Sequence, residues 1–137
     1  MVDTRFSVSI QIMMTLAAHE NELYSSESLA KVLKTNATFI RKLVTHLVDA
    51  GLVSSFRGKG GGIKLARTSS LIDLNEIYLA ATGEKPLISI HNKPITKACA
   101  VSCCINDVLE GIVLGIEEST QKYLQGKTLH DLMIKVK

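Results

Sequence analysis

The spacing of apolar residues changes along this chain, and each spacing predicts a different element. In "RFSVSIQIMMTLAA", residues 5 to 18, Phe6, Ile10, Met13, Met14 and Ala17 occupy one side of a helix while Val8, Ile12 and Leu16 occupy the other. A helix apolar nearly all round is buried on several faces or lies at a subunit interface. Asp3 or Thr4 stands where its N-terminal cap is wanted.

Two shorter amphipathic helices are predicted between residues 25 and 53. Ser25 or Ser26 caps the first, Glu27 lies in its first turn, and Leu29, Ala30 and Leu33 form its inward stripe. Lys34, Thr35 and Asn36 interrupt the pattern, and Asn36 suits the cap of the second helix. In that helix Phe39, Ile40, Leu43, Val44, Leu47 and Val48 recur at three and four residues, with Thr38, Arg41, Lys42, Thr45 and Asp49 on the opposite face. Gly51 follows, where a left-handed residue ends a helix. Two short helices joined by so brief a turn predict a helix-turn-helix; an αα-hairpin with a solvated basic face is the plainer alternative.

Beyond Gly51 the spacing shortens to two. "LVSSFR" (52 to 57) and "IKLAR" (63 to 67) read as strands, with "GKGGG" (58 to 62) as the turn between them. Farther on, Ile105, Leu109, Ile112, Ile116 and Tyr123 share one helical stripe, with Val108 and Val113 beside it. A helix of about twenty residues is too long to be buried within so small a domain, which predicts that it pairs with its counterpart in a homodimer. Gly111 and Gly115 within it each cost about 1 kcal/mol relative to alanine, and close approach of a second helix accounts for their presence. The predicted fold is therefore mainly α with a small β-hairpin. Residues 1–83 form a winged helix-turn-helix, 84–104 a loop with a cysteine segment, and 105–137 a dimerisation helix followed by a C-terminal helix.

The glycine-rich turn also raises the idea of a nucleotide cradle, which its spacing excludes. A P-loop requires four residues between its first glycine and the Gly-Lys pair, then Ser or Thr; here Gly51 lies six before Gly58, and Gly60 follows Lys59. A dinucleotide fingerprint starting at Gly58 requires glycine where Ile63 stands. A nucleotide loop opens a helix, whereas this one opens a strand.

Charge favours a different phosphate. The net charge of +3 is unevenly spread. Residues 31 to 67 carry eight basic residues against Asp49 alone, a net of +7, while 71 to 137 carry seven basic and eight acidic residues. So concentrated a charge suits a polyanion. Arg and Lys on an outward helix face donate to guanine edges, and a basic hairpin directly after a helix-turn-helix is a wing whose tip reaches phosphates or the minor groove. The candidate DNA-binding residues are Ser26, Thr38, Arg41, Lys42, Thr45, Arg57 and Lys59.

The order of elements, carried by "SLAKVLKTNATFIRKLVTHLVDAGLVSSFRGKGGGIKLAR" and the following "LIDLNEIYLAATGE", resembles the Rrf family of bacterial winged-helix regulators, the group of IscR, NsrR and CymR. The resemblance spans essentially the whole chain. It implies a homodimer on a partly palindromic double-stranded operator, usually as a repressor. It also implies base reading by Thr38, Arg41 and Lys42, and a minor-groove arginine at Arg57.

The remaining chemistry lies in "KACAVSCCIND", with Cys99, Cys103 and Cys104 as candidate sensor residues. Cluster-binding relatives space three cysteines by five to seven residues; here three residues separate the first pair and none the second. The segment "HNKPITKACAVS" is more similar to the cluster-free, YwnA-like members of the family, so no cofactor is expected and an iron–sulfur centre is the alternative. Near a helix N-terminus and Lys97, Cys99 is a candidate for a lowered pKa and a thiol switch; inert buried thiols beside another effector site are the plainer reading. His91 is a candidate ligand or effector contact, or simply a loop histidine.

An odd cysteine count and the lack of an early cleavage signal predict a reduced, cytoplasmic protein. No run of about 18 apolar residues is present to cross a membrane. No nucleophile–base motif or paired carboxylates appear, so catalysis is not expected. A protein-interaction or metal-trafficking module with an incidental basic face is the alternative from another class.

Overall fold

The computed structural model describes residues 3–88, 90 and 99–136. Its helices are α1 (Arg5–Ala18), α2 (Ser26–Leu33), α3 (Ala37–Asp49), α4 (Leu74–Thr82), α5 (Ala100–Leu124) and α6 (Leu129–Met133), with strands β1 (Val53–Phe56) and β2 (Gly62–Leu65) between α3 and α4. The expected helix-turn-helix and hairpin are both present, and the fold is mainly α.

Local chemistry explains the boundaries. Ser25 caps α2 in a reciprocal arrangement with Ser28. Asn36 Oδ1 accepts from the N–H groups of Thr38 at 2.7 Å and Phe39 at 3.3 Å, satisfying two orphan donors of α3. Between these helices Lys34 takes a left-handed conformation, φ 55°. At the start of α1 the Asp3 carboxylate accepts from the Arg5 backbone N–H and side chain, while Thr4 makes no capping bond.

One core holds α1 to α4 together. Ile12, Met13 and Leu16 of α1 meet Leu29 of α2, Ile40, Leu43 and Leu47 of α3, and Ile77 and Tyr78 of α4, all fully or almost fully buried. Burying a side chain of this size stabilises by about 1.5–3 kcal/mol, so this cluster fixes how α3 is presented.

The hairpin is antiparallel, with Val53 opposite Leu65 and Phe56 opposite Gly62. A single bridge from Tyr24 to Ile63 adds a third short edge, with Ile63 N–H donating to the Tyr24 carbonyl at 2.8 Å and Tyr24 N–H to the Ile63 carbonyl at 3.1 Å. This explains Gly62: a Cβ there would lie 2.8 Å from the Tyr24 carbonyl oxygen. At Gly61 a Cβ would lie 2.1 Å from the Phe56 carbonyl oxygen. These two glycines are set by close backbone approach within the protein.

The C-terminal third departs from the sequence reading in two ways. First, α5 begins at Ala100, so Cys103 and Cys104 stand on the helix and not in the loop expected over 84–104. Val101 continues the apolar stripe, and no proline or glycine interrupts it before Gly111. Second, the C-terminal helix expected within 105–137 is present as α6 but packs back onto the amino-terminal core. Leu129 is fully buried in the core of the amino-terminal helices. The segment before α6 is tied down by Leu129 N–H to the Ile72 carbonyl, Leu74 N–H to the Lys127 carbonyl, and Gly126 N–H to Asp73 Oδ2.

Candidate nucleic-acid interface

The outer row of α3 is built as its period requires. Thr38, Arg41, Lys42 and Thr45 are all exposed, while Ile40, Leu43, Val44 and Leu47 are buried behind them. Neither Thr38 nor Lys42 has a side-chain partner among the described residues, which leaves a hydroxyl and an ammonium open to a ligand. Thr45 differs: its Oγ1 donates to the Arg41 carbonyl at 2.9 Å. Its proton is spent on the helix, so it offers a methyl group and an acceptor lone pair outward.

Arg41 is already engaged. Its Nη2 donates to Glu27 Oε1 at 2.9 Å, across from α2. Hydrogen bonding from Arg41 holds the Glu27 carboxyl below its ordinary range. Glu27 was placed in the first turn of α2 by its position, but its contact with Arg41 joins residues 14 apart and had no local signal. Ser26, the first residue of α2, is half-buried and stands beside Glu27, off the α3 row.

Arg57 and Lys59 follow β1 in the turn of the hairpin and are both exposed. Neither is folded inward. On the strands, Lys64 Nζ lies 5.2 Å from the centre of the exposed Phe56 ring, a cation–π contact that leaves the ammonium at the surface.

Not every cation in the +7 window serves this surface. Arg67 donates from Nη2 to Glu76 Oε2 at 2.7 Å and from Nη1 to Glu76 Oε1 at 3.2 Å, and it also reaches the Leu71 and Gly51 carbonyls. It stitches the end of α3 and the hairpin to α4 and is structural. The partners of Arg41 and Arg67 both come from outside the window, which is why counting charge inside it overstated the available excess.

The cysteines form no ligand set. Cys103 and Cys104 are consecutive on α5, so their side chains diverge by about 100°, and Cys99 is the residue preceding the helix. Among the described residues no three His, Cys, Asp or Glu side chains stand where they could hold a metal ion. Cys99 is exposed. Its side chain stops short of a capping hydrogen bond, yet the Ser102 backbone N–H, with lesser help from the Ser102 hydroxyl and Val101 N–H, holds its thiol below the ordinary range. Of the two causes expected for Cys99, the helix N-terminus is present in the Ser102 and Val101 N–H groups; Lys97, the other, and His91 lie outside the described residues.

A helix-turn-helix followed by a cationic hairpin and a long, mostly exposed helix is an arrangement found elsewhere. The family model Rrf2, described as iron-dependent transcriptional regulator, matches residues 2–135. The chain belongs to the Rrf2 family. Among individual relatives it is 28% identical over 133 residues to YwnA of Bacillus subtilis (strain 168), covering 97% of both chains. It is 28% identical over 116 residues to the HTH-type transcriptional regulator NsrR of Oceanobacillus iheyensis, covering 83% of this chain and 76% of that one. A solved structure of a regulator from Lactobacillus plantarum superposes with a TM-score of 0.80 at 22% identity, over 97% of this chain and 89% of that one; at that identity it supports the winged-helix fold alone. For the iron in the family description, no group of three ligating side chains stands ready among the described residues.

Proposed function

We propose that this Rrf2 regulator binds a specific double-stranded operator as a homodimer and represses transcription in the cytoplasm, with no catalytic step and no bound metal. The observation that carries this reading is the outward row Thr38, Arg41, Lys42 and Thr45 on α3 beside the exposed Arg57 and Lys59 of the wing. A protein-interaction module needs no such pairing of hydroxyl and cationic groups.

Dimerisation is supported by α5. Over its 25 residues only Val113 and Leu124 are buried, while Val101, Val108, Ile112, Ile116 and Tyr123 are exposed. A groove of about 840 Å³ runs between Phe6 of α1 and Gly111, Ile112, Gly115 and Ile116 of α5. Nothing lies within 4 Å of where a Cβ on either glycine would be. Such a floor accepts a second helix closely. A homodimer suits an operator, since two recognition helices about 34 Å apart enter successive major grooves.

The signal in this reading is oxidative or electrophilic attack on Cys99, whose exposed thiol is held toward the thiolate at the start of the same helix. The test is selection of duplexes from a randomised pool by the intact protein, followed by titration of the selected duplex at several salt concentrations. A steep fall of affinity with salt, weakened in Arg57→Ala, is expected. A salt-independent affinity, or full affinity in Arg57→Ala, overturns the interface. Equal affinity in reductant, in peroxide and in Cys99→Ser overturns the signal. A coloured, iron-containing protein purified without air overturns the metal-free statement.

A further inference from the structure

We propose that Glu27 determines specificity at this interface: its carboxylate restrains Arg41 and keeps that guanidinium from serving as a phosphate clamp. The inference rests on the DNA-binding reading above and assigns a role to a residue on α2, outside the recognition helix.

Geometry carries it. Glu27 Oε1 and Arg41 Nη2 are 2.9 Å apart, and their side chains remain 62% and 54% exposed. The pair therefore sits on the outer surface where a duplex would lie. Arg41 is three positions after Thr38 and one before Lys42, in the middle of the outward row. An unrestrained arginine there would take the nearest phosphate oxygen, a contact that carries no sequence information. With Glu27 in place one nitrogen of the fork is occupied, the local charge is balanced, and an approaching phosphate meets a carboxylate. A guanine edge carries no such charge and can still receive the remaining donors.

The contrast with neighbouring cations is informative. Lys42, Arg57 and Lys59 have no acidic partner among the described residues, and Arg67 is tied to Glu76 away from the row. Arg41 alone combines a place in the outward row with an acidic partner at the surface. Glu27 also lies in the first turn of α2, where any acidic residue favours the helix. Helix stabilisation does not require the side chain to reach α3, and it is separable by experiment.

The experiment compares wild type, Glu27→Gln, Arg41→Ala and the double variant, each titrated on the selected duplex and on a random-sequence duplex across salt. Glu27→Gln should bind the random duplex roughly three- to five-fold more tightly, the scale of one exposed ion pair. Its salt slope should steepen by about one released counterion, and the ratio of specific to random affinity should fall. On the Arg41→Ala background the same change should have a clearly smaller effect, limited to the loss of one carboxylate near phosphate, because Glu27 acts mainly through Arg41. Glu27→Asp should recover part of the ratio. An unchanged ratio in Glu27→Gln, or an equal shift with and without Arg41, overturns the proposal while leaving DNA binding intact. Absence of salt-dependent binding in wild type would instead overturn the reading on which it rests. Matching thermal melts of the variants exclude a folding defect as the cause.

Discussion

The Tyr78 hydroxyl donates a 2.7 Å hydrogen bond to Glu117 Oε2, joining α4 to α5 across 39 positions of sequence. Tyr78 is otherwise buried, with the Phe6 ring edge-on at 5.4 Å. Arg5 adds a bond from α1 to the Thr82 carbonyl at the end of α4. The α5 helix thus meets the DNA-binding core at this polar contact, and again at its C-terminal end through the buried Leu124. A change in the tilt of α5 bears on both places.

Tyr78→Phe should therefore destabilise the fold by about 1–2 kcal/mol, the cost of removing a donor from a carboxylate. Burial, then Glu117, pushes the Tyr78 pKa up from its ordinary value of 10.0. The folded state holds that proton more tightly than the unfolded chain. Stability should fall as pH rises above 10, where only the unfolded tyrosine ionises freely. Thermal melts between pH 8 and about 11 check both statements. The alkaline loss should be smaller in Tyr78→Phe, and an identical pH profile would refute the coupling.

At the acidic end the Arg67–Glu76 pair decides. Hydrogen bonding from Arg67, opposed by burial, lowers the Glu76 pKa from its ordinary 4.5. Its contribution to stability is present above that value and is lost as pH falls through the lower folded value. Wild type should lose more stability than Glu76→Gln on acidification from neutral pH through this window, measured as the shift in denaturant midpoint. Because Glu76 also caps α4 through the Asp73 N–H, the glutamine variant retains much of the geometry, and the comparison isolates charge.

Lys34 offers a test of backbone strain. Its φ of 55° places a side-chain-bearing residue in the left-handed region at the turn of the helix-turn-helix. That conformation costs a non-glycine residue about 1–2 kcal/mol, partly offset in glycine by unfolded-state entropy. Lys34→Gly should raise the melting temperature by roughly 2–4 °C, while Lys34→Ala, which keeps the Cβ, should not. A lower melting temperature for the glycine variant would show that the lysine side chain contributes more than its backbone costs.

What was legible in the sequence followed from short-range rules. The α3 stripe, the Asn36 cap, the Gly51 terminus and the hairpin all depend on neighbours within a few residues, and each stands where its pattern put it. The exposed Thr38, Arg41, Lys42, Arg57 and Lys59 follow from the same periods. The illegible part is long-range. Glu27 with Arg41, Arg67 with Glu76, Tyr78 with Glu117, and the docking of Leu129 each join residues that no period relates. The early start of α5 was missed for a different reason. Its first turn carries one large apolar residue, Val101, among the small Ala100, Ser102 and Cys103, so amphipathic spacing registers only from Ile105.

The wing gives the most direct test of how the glycine run serves DNA binding. Gly61 N–H donates to the Gly58 carbonyl at 3.0 Å, closing a tight turn. An added Cβ at 61 would meet backbone on every side: Phe56 O at 2.1 Å, then Arg57 C and Gly58 O, both at 3.0 Å. Backbone cannot step aside as a flexible side chain can, so Gly61→Ala must reopen the turn and displace Arg57 and Lys59 together. The helical core does not depend on this turn, and circular dichroism should remain that of wild type. Affinity for the selected duplex should fall at least ten-fold, and the salt slope should flatten by about two counterions if both cations leave phosphates. Gly60→Ala separates the causes, because its added Cβ meets nothing within 4 Å and the cost there is only that of φ 81°. Unaltered affinity and slope in Gly61→Ala would mean that the hairpin reaches no phosphate, and the interface would reduce to α3.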